Sequence, residues 1–145
     1  IGPILARKLK QYFRSWGNIT VEERVQLVPE DSCIIAENDI VVFIDASVDS
    51  MRRYDLVKIK PQFDRHFSPA VFSPSYLMAL SGCCFQTQPE GYIFSVRGYS
   101  FEVNRSISRE SAKNLGEAFV FITKKLKCLS WKKPYESNHN KRKDN

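Results

Sequence analysis

Several things are scarce in this sequence, and each scarcity excludes a class of chemistry. There are two histidines, His66 and His139, and four cysteines, Cys33, Cys83, Cys84 and Cys128. No Cys-x-x-Cys pair occurs, and the adjacent Cys83-Cys84 have no second pair with which to enclose a zinc ion. Cys33 and Cys128 lie among apolar residues and read as buried thiols. Cys83 and Cys84 read as a helix end packed on the core. Such usage points to a reducing cytoplasm. Six glycines are spread along the chain without forming a phosphate-binding loop. There is no Gly-x-Ser-x-Gly elbow and no His-Glu-x-x-His. No stretch approaches the roughly 18–20 continuous apolar residues of a membrane span. The chain opens Ile1-Gly2-Pro3 and enters a helical pattern at once, without a secretory leader. No membrane partner is expected.

The net charge of +6 also excludes something. From Lys127 onward six basic residues, Lys127, Lys132, Lys133, Lys141, Arg142 and Lys143, outweigh Glu136 and Asp144, which places +4 at the end of the chain. A nucleic-acid interface needs basic residues gathered on a folded face or in a recognisable module. Neither is visible, so no nucleic-acid partner is expected and the basic end reads as a solvated tail.

What is present is enough for one domain. At 145 residues and 43% hydrophobic content the chain can bury a core. Pro3 suits a first helical turn, and Ile4, Leu5, Leu9, Tyr12, Phe13 and Trp16 follow at helical spacing up to Gly17. Residues 24–28 read as a strand, and Pro29-Glu30-Asp31 reads as the opening of a short helix that runs to about Ala36. Ile40-Val41-Val42-Phe43-Ile44 is the clearest strand: an unbroken apolar, β-branched run implies burial on both faces and a central parallel position. Residues 45–54 read as a loop, 56–60 as a half-exposed strand, and 61–73 as a long loop. Ser73-Pro74 caps a helix ending near Gly82, and residues 92–97 form a further strand closed by Gly98. Ser108 caps a long helix with the stripe Ala112, Leu115, Phe119, Ile122 and Leu126. The expected fold is α/β: a single three-layer domain over residues 1–129, with a mostly parallel sheet and helices on both faces. Residues 130–145 are expected to form a basic, disordered tail.

In such folds ligands bind beyond the carboxyl ends of the strands. Three features are expected there: Asp45 directly after the central strand, His66 in the loop after the next, and residues 98–102 after the last. A carboxylate ending an apolar strand is solvated in a cleft, paired, bound to a metal, or caps the following loop. A loop histidine serves as a metal ligand, a general base or a plain surface residue. Asp45 and His66 together make an incomplete metal set.

Several segments resemble the endopeptidases that mature nickel–iron hydrogenases. They are Ile1-Gly2-Pro3-Ile4-Leu5-Ala6-Arg7-Lys8-Leu9, Gln26-Leu27-Val28-Pro29-Glu30, Val41-Val42-Phe43-Ile44-Asp45-Ala46, Phe72-Ser73-Pro74-Ser75-Tyr76-Leu77-Met78-Ala79-Leu80, Gly98-Tyr99-Ser100-Phe101-Glu102 and Ile107-Ser108. The similarity runs to about Leu126. It implies removal of a short C-terminal extension from the hydrogenase large-subunit precursor after nickel insertion. It also implies that nickel, presented by the substrate, is contacted by an acidic residue, an aspartate and a histidine. Asp45 matches that aspartate, as catalytic and metal-contacting residue. The acidic residue would fall before Ile1, on a first strand and turn missing from this chain. Without that strand the sheet would keep an open edge. The histidine position falls on Ala70, and His66, the nearest histidine, lies upstream of it. A non-catalytic relative that binds a hydrogenase subunit is the second expectation. Another small α/β hydrolase, of aminopeptidase-like or peptidyl-tRNA hydrolase-like kind, is the third; the arrangement that it would need is not visible.

Overall fold

A computed structural model describes residues 1–47, 51–63, 72–98 and 108–132. In chain order the elements are α1 (Gly2–Tyr12), α2 (Asp31–Ala36), β1 (Ile40–Ser47), β2 (Tyr54–Ile59), α3 (Pro74–Phe85), β3 (Glu90–Arg97) and α4 (Arg109–Lys132). The fold is α/β, built on a three-stranded mixed sheet in the order β1-β3-β2.

Local chemistry sets the helix ends. Pro3 starts α1, whose Leu5 and Leu9, one turn apart, are buried. The helix stops at Tyr12, short of the expected Gly17. Phe13 leaves helical geometry (ψ 10°) and the Trp16 amide donates to its carbonyl at 2.9 Å. This turn keeps Phe13 and Trp16 in edge-on contact, 5.3 Å apart, so the apolar spacing outlives the helix. The Ser73 hydroxyl accepts the Tyr76 amide at 3.1 Å and caps α3; Ser108 does the same for α4 through the Ser111 amide at 3.1 Å. The buried stripe of α4 is Ser111, Asn114, Leu115, Ala118, Ile122 and Thr123. The expected Ala112 is exposed. The helix continues to Lys132, past the expected boundary at residue 129, so 130–132 are helical. Residues 133–145 of the expected tail lie outside the described residues.

Three expectations about the sheet fail. Residues 24–28 form no strand. The Val28 amide donates to the Asp31 carboxylate at 3.0 Å, and Arg24 Nε donates to the same carboxylate at 2.9 Å. Polar groups of this segment are thus turned toward the start of α2, while Leu27 packs beside Ile35 and Leu77. Nor is the sheet mostly parallel: β1 pairs with β3 in parallel, but β2 pairs with β3 antiparallel. Finally, among the described residues Ile40-Val41-Val42-Phe43-Ile44 lies at an edge of the sheet, with β3 in the centre. Its apolar run does meet helices on both faces. Val42 and Ile44 join the cluster of Leu5, Leu9, Phe13, Phe94, Val96, Leu115, Ala118 and Ile122, contributed by α1, β3 and α4. Val41 and Phe43 join Ile35, Leu77 and Met78, from α2 and α3. Apolarity on both faces reports what covers a strand above and below, and is silent about its lateral neighbours.

The cysteines are also misjudged. All four are free and exposed, so Cys33 and Cys128 are not buried thiols, and Cys83 and Cys84 do not pack into the core. No helix among the described residues is long and apolar enough to cross a membrane.

Candidate functional site

Asp45 belongs to β1 itself, since the strand runs on to Ser47. Its carboxylate is exposed and accepts the amide of its own successor, Ala46, at 2.8 Å. The register places Asp45 opposite Ser95 on β3, and Ser95 opposite Asp55 on β2. Directly paired residues project to the same face, so Asp45, Ser95 and Asp55 form one row across the sheet. Two strand spacings separate the aspartates by about 10 Å. Asp55 accepts the Leu56 amide at 3.1 Å and faces Arg52 at 3.6 Å. Arg97, two residues beyond Ser95 on β3, projects to the same face.

This polar row lies at the carboxyl end of β1 and β3. Ser47 marks the end, and its carbonyl accepts the Gly98 amide at 3.1 Å. The row occupies the face that, at the other end of the strands, is apolar: Val41, Phe43 and Ile59 pack there with α3 around Gly91. A Cβ on Gly91 would come within 2.9 Å of Ile59 Cγ1 and Met78 Cε, which shows how closely α3 approaches. Sequence reading found Asp45 but missed Ser95 and Asp55. Nothing local marks them, because the row exists only once the antiparallel register of β2 is known.

His66 and Ala70 lie outside the described residues, as do residues 99–102. The topology removes one reason for expecting His66 near Asp45. Because β2 is antiparallel, the chain leaves it at Ile59, opposite Gly91, four rows from the Asp45–Ser95 pair. That is about 13 Å along the sheet. His66 follows seven residues after Ile59, a reach of up to roughly 23 Å, so the loop is long enough to return. Among the described residues no three His, Cys, Asp or Glu side chains come together in a metal-binding group. Asp45 can contact a metal held by another molecule; alone it cannot retain one.

Two further features lie apart from this row. A surface concavity of about 230 Å³ sits between the end of α1 and the returning chain, lined by Lys10, Phe13, Arg14, Ile19, Thr20, Val21 and Glu22. Gly2, at the start of α1, lies against Ala46 near the carboxyl end of β1, so the concavity is at the far end of that helix. The second feature is the Arg24–Asp31 pair. Burial pushes the Asp31 carboxyl up, but the Arg24 hydrogen bond, the Val28 amide and the guanidinium charge together hold it below its usual value. The hydrogen bonds from Arg24 to Asp31 and Glu22, with the charges of both carboxylates, raise Arg24 in turn. This pair secures the start of α2 and is structural.

No family model, no curated protein and no solved structure matches this chain.

Proposed function

We propose that this chain is a cytoplasmic endopeptidase of hydrogenase maturation, which removes the C-terminal extension of a nickel–iron hydrogenase large-subunit precursor once nickel is in place. The observation that carries the reading is the position of Asp45. It is an exposed carboxylate at the carboxyl end of a parallel strand pair, beside one hydroxyl and a second carboxylate in one row. Of the segments that resemble the family, those at residues 1–9, 41–46 and 72–80 fall on α1, β1 and α3, whereas residues 26–30, which resemble its second strand, form no strand. The reading takes the helix pairs on the two sheet faces as outer layers of a three-layer domain.

Nickel enters this scheme as part of the substrate. Asp45 supplies one anionic contact toward it, and His66 a second when its loop returns to the sheet end. Ser95 and Asp55 orient the peptide around the bond to be cut. A second reading, a relative that binds a hydrogenase subunit without cutting it, is favoured by the bond between the Asp45 carboxylate and the Ala46 amide, which gives Asp45 a local capping role.

Cleavage of a nickel-loaded precursor, followed on a gel beside a melting curve, separates the two. Asp45→Asn keeps an oxygen to accept the Ala46 amide but removes the charge. The expected result is a loss of cleavage of about 100-fold or more, with stability changed by less than about 0.5 kcal/mol. His66→Ala is expected to lower cleavage with the same lack of effect on melting. Full cleavage by Asp45→Asn rules out the assignment. Absence of cleavage by the unaltered chain, with retained binding to the precursor, supports the second reading.

A further inference from the structure

Two stretches of the sequence hold no acidic residue: 1–20, with Arg7, Lys8, Lys10 and Arg14, and 118–135, with Lys124, Lys125, Lys127, Lys132 and Lys133. No run of bases marks the first of them, and in the sequence the excess positive charge collects at the end of the chain. The fold sets the two stretches side by side. Lys127, on α4, donates to the hydroxyl of Tyr12 at the end of α1, 115 residues away in sequence. Its ammonium also stands 4.9 Å from the centre of the Tyr12 ring and 5.7 Å from that of Trp16. About two turns earlier on α4, Phe119 meets the Tyr12 ring edge-on at 5.7 Å. Both helices cover the same side of the sheet, α1 through Leu5, Leu9 and Phe13, α4 through Leu115, Ala118 and Ile122. What they turn away from the sheet therefore forms one continuous face.

That face is positive and uncompensated. Lys8, Lys10, Arg14 and Lys124 are exposed, with Lys127 half-buried in the seam between the helices. None of the five has an acidic partner among the described residues. Arg7 has one, Glu23 at 3.6 Å, and Lys125 lies over Phe121, on the flank toward β2. Glu117, the last acid before the second stretch, is held by Arg53 at 2.9 Å. Among the cations lie two exposed rings, Tyr12 (43%) and Trp16 (36%). Both meet Phe13 edge-on, at 5.0 and 5.3 Å, which keeps them level with the helices. Val120 is the one large aliphatic side chain exposed among the described residues of α1 and α4. The charge calls for a polyanion. A bilayer would need apolar side chains that protrude into it, and Val120 alone does not suffice. An acidic peptide would use the cations and leave the rings idle. A single strand of nucleic acid uses both, phosphates on cations and a base on a ring. RNA is the form that ordinarily presents unpaired bases.

We infer that the α1/α4 face binds single-stranded RNA without sequence preference, with phosphates on Lys8, Lys10, Arg14, Lys124 and Lys127 and a base stacked on Trp16. Lys127 exchanges its ring contacts for phosphate as the base takes the ring. α1 is about 17 Å long and packed helices stand about 8–10 Å apart, so the face holds a stretch of about five nucleotides. It lies across the sheet from Asp45, whose neighbours Val41 and Phe43 on the same strand pack toward α2 and α3. The inference therefore goes beyond the endopeptidase reading and does not rest on it.

The test uses the full chain and a fluorescein-labelled oligouridylate of about twenty nucleotides, read by anisotropy. Saturable binding is expected at about 50 mM salt. Raising the salt to about 200 mM should weaken it about 100-fold, because five neutralised phosphates give a logarithmic slope of about −3.5. Lys10→Ala/Arg14→Ala/Lys124→Ala, all at exposed positions, should reduce that slope to about −1.4 with the melting temperature unchanged. Neutralising the end of the chain with Lys133→Ala/Lys141→Ala/Arg142→Ala/Lys143→Ala should change affinity at low salt by less than about threefold. Trp131→Phe leaves Trp16 as the sole tryptophan, and its emission should be quenched by unlabelled oligouridylate and not by polyglutamate. Absence of saturable binding overturns the inference. So does tighter binding of duplex RNA, of polyglutamate or of phosphatidylserine vesicles at the same salt. Unquenched Trp16 at saturation, or a neutralised chain end that costs as much affinity as the helix variant, overturns it equally.

Discussion

The two faces of the sheet differ in where they are dry. On the α1/α4 face the apolar cluster centres on Phe94 and Val96, toward the carboxyl end of β3. At the amino end of that face Lys58, Glu90 and Tyr92 contact one another: Lys58 pairs with Glu90 at 3.5 Å, and the Tyr92 hydroxyl donates to Glu90 at 2.8 Å. On the α2/α3 face the pattern is reversed. Gly91 sits under Met78 and Ile59 at the amino end, and Asp45, Ser95, Asp55 and Arg97 occupy the carboxyl end. The cores are therefore offset diagonally through a single sheet. Polar residues of the first face bond to one another, whereas on the second Asp45 bonds to the adjacent amide and stays exposed, and Asp55 bonds to its adjacent amide and faces Arg52. The difference teaches that the α2/α3 face gives up packing at the end where a site would be useful.

The comparison predicts unequal responses to truncation. Phe94 is fully buried and stacks on Phe121 at 5.9 Å and 15°. Phe94→Ala is expected to cost about 3–5 kcal/mol, seen as a lowered urea midpoint. Met78, on the smaller cluster, is flexible and lies beside a glycine. Met78→Ala should cost less, about 2–3 kcal/mol. Equal losses would erase the contrast between the faces.

The Arg24–Asp31 pair gives a smaller effect with a pH signature. The folded carboxyl of Asp31 lies below its usual value, so the stability it contributes is present above the unfolded pKa of about 4 and is lost as pH falls through the folded value. Asp31→Asn should destabilise by about 1–2 kcal/mol at neutral pH and flatten the acid limb of a stability curve. An unchanged acid limb would mean that α2 starts without help from this pair.

Much of the fold could be read from the sequence because its signals are local. Ser73-Pro74 and Ser108 announce helix starts through hydroxyls aimed at amides three residues on, and the structure places α3 and α4 there. Asp45 was visible as a carboxylate ending an apolar run. Apart from the early end of α1, which a local turn at Phe13 sets, the failures are non-local. Whether residues 24–28 form a strand depends on finding a partner, and their groups found Asp31 instead. Whether Ile40-Val41-Val42-Phe43-Ile44 is central depends on which strands lie beside it, which apolar spacing does not encode. The direction of β2 decides whether the loop bearing His66 starts near Asp45 or far from it, and no residue between Tyr54 and Ile59 reports a direction. Exposure of Cys33 and Cys128 likewise depends on which side of α2 and α4 the sheet lies.

The smallest expected effect tests how completely the larger core is satisfied. Thr123 lies on α4, 6% exposed, one residue beyond the fully buried Ile122. Among the described residues its hydroxyl has no hydrogen-bond partner. Burying a hydroxyl without a partner costs free energy that the unfolded chain, bonded to water, does not bear. Valine has nearly the same shape and a comparable rotamer preference in a helix, so Thr123→Val removes the unbonded oxygen without opening a cavity. The α1/α4 face should gain up to about 1 kcal/mol, read as a raised urea midpoint with unchanged slope. A loss of stability on that substitution would show that the hydroxyl is bonded in solution, to an ordered water or to its own helix, and that this face is wetter than its apolar residues suggest.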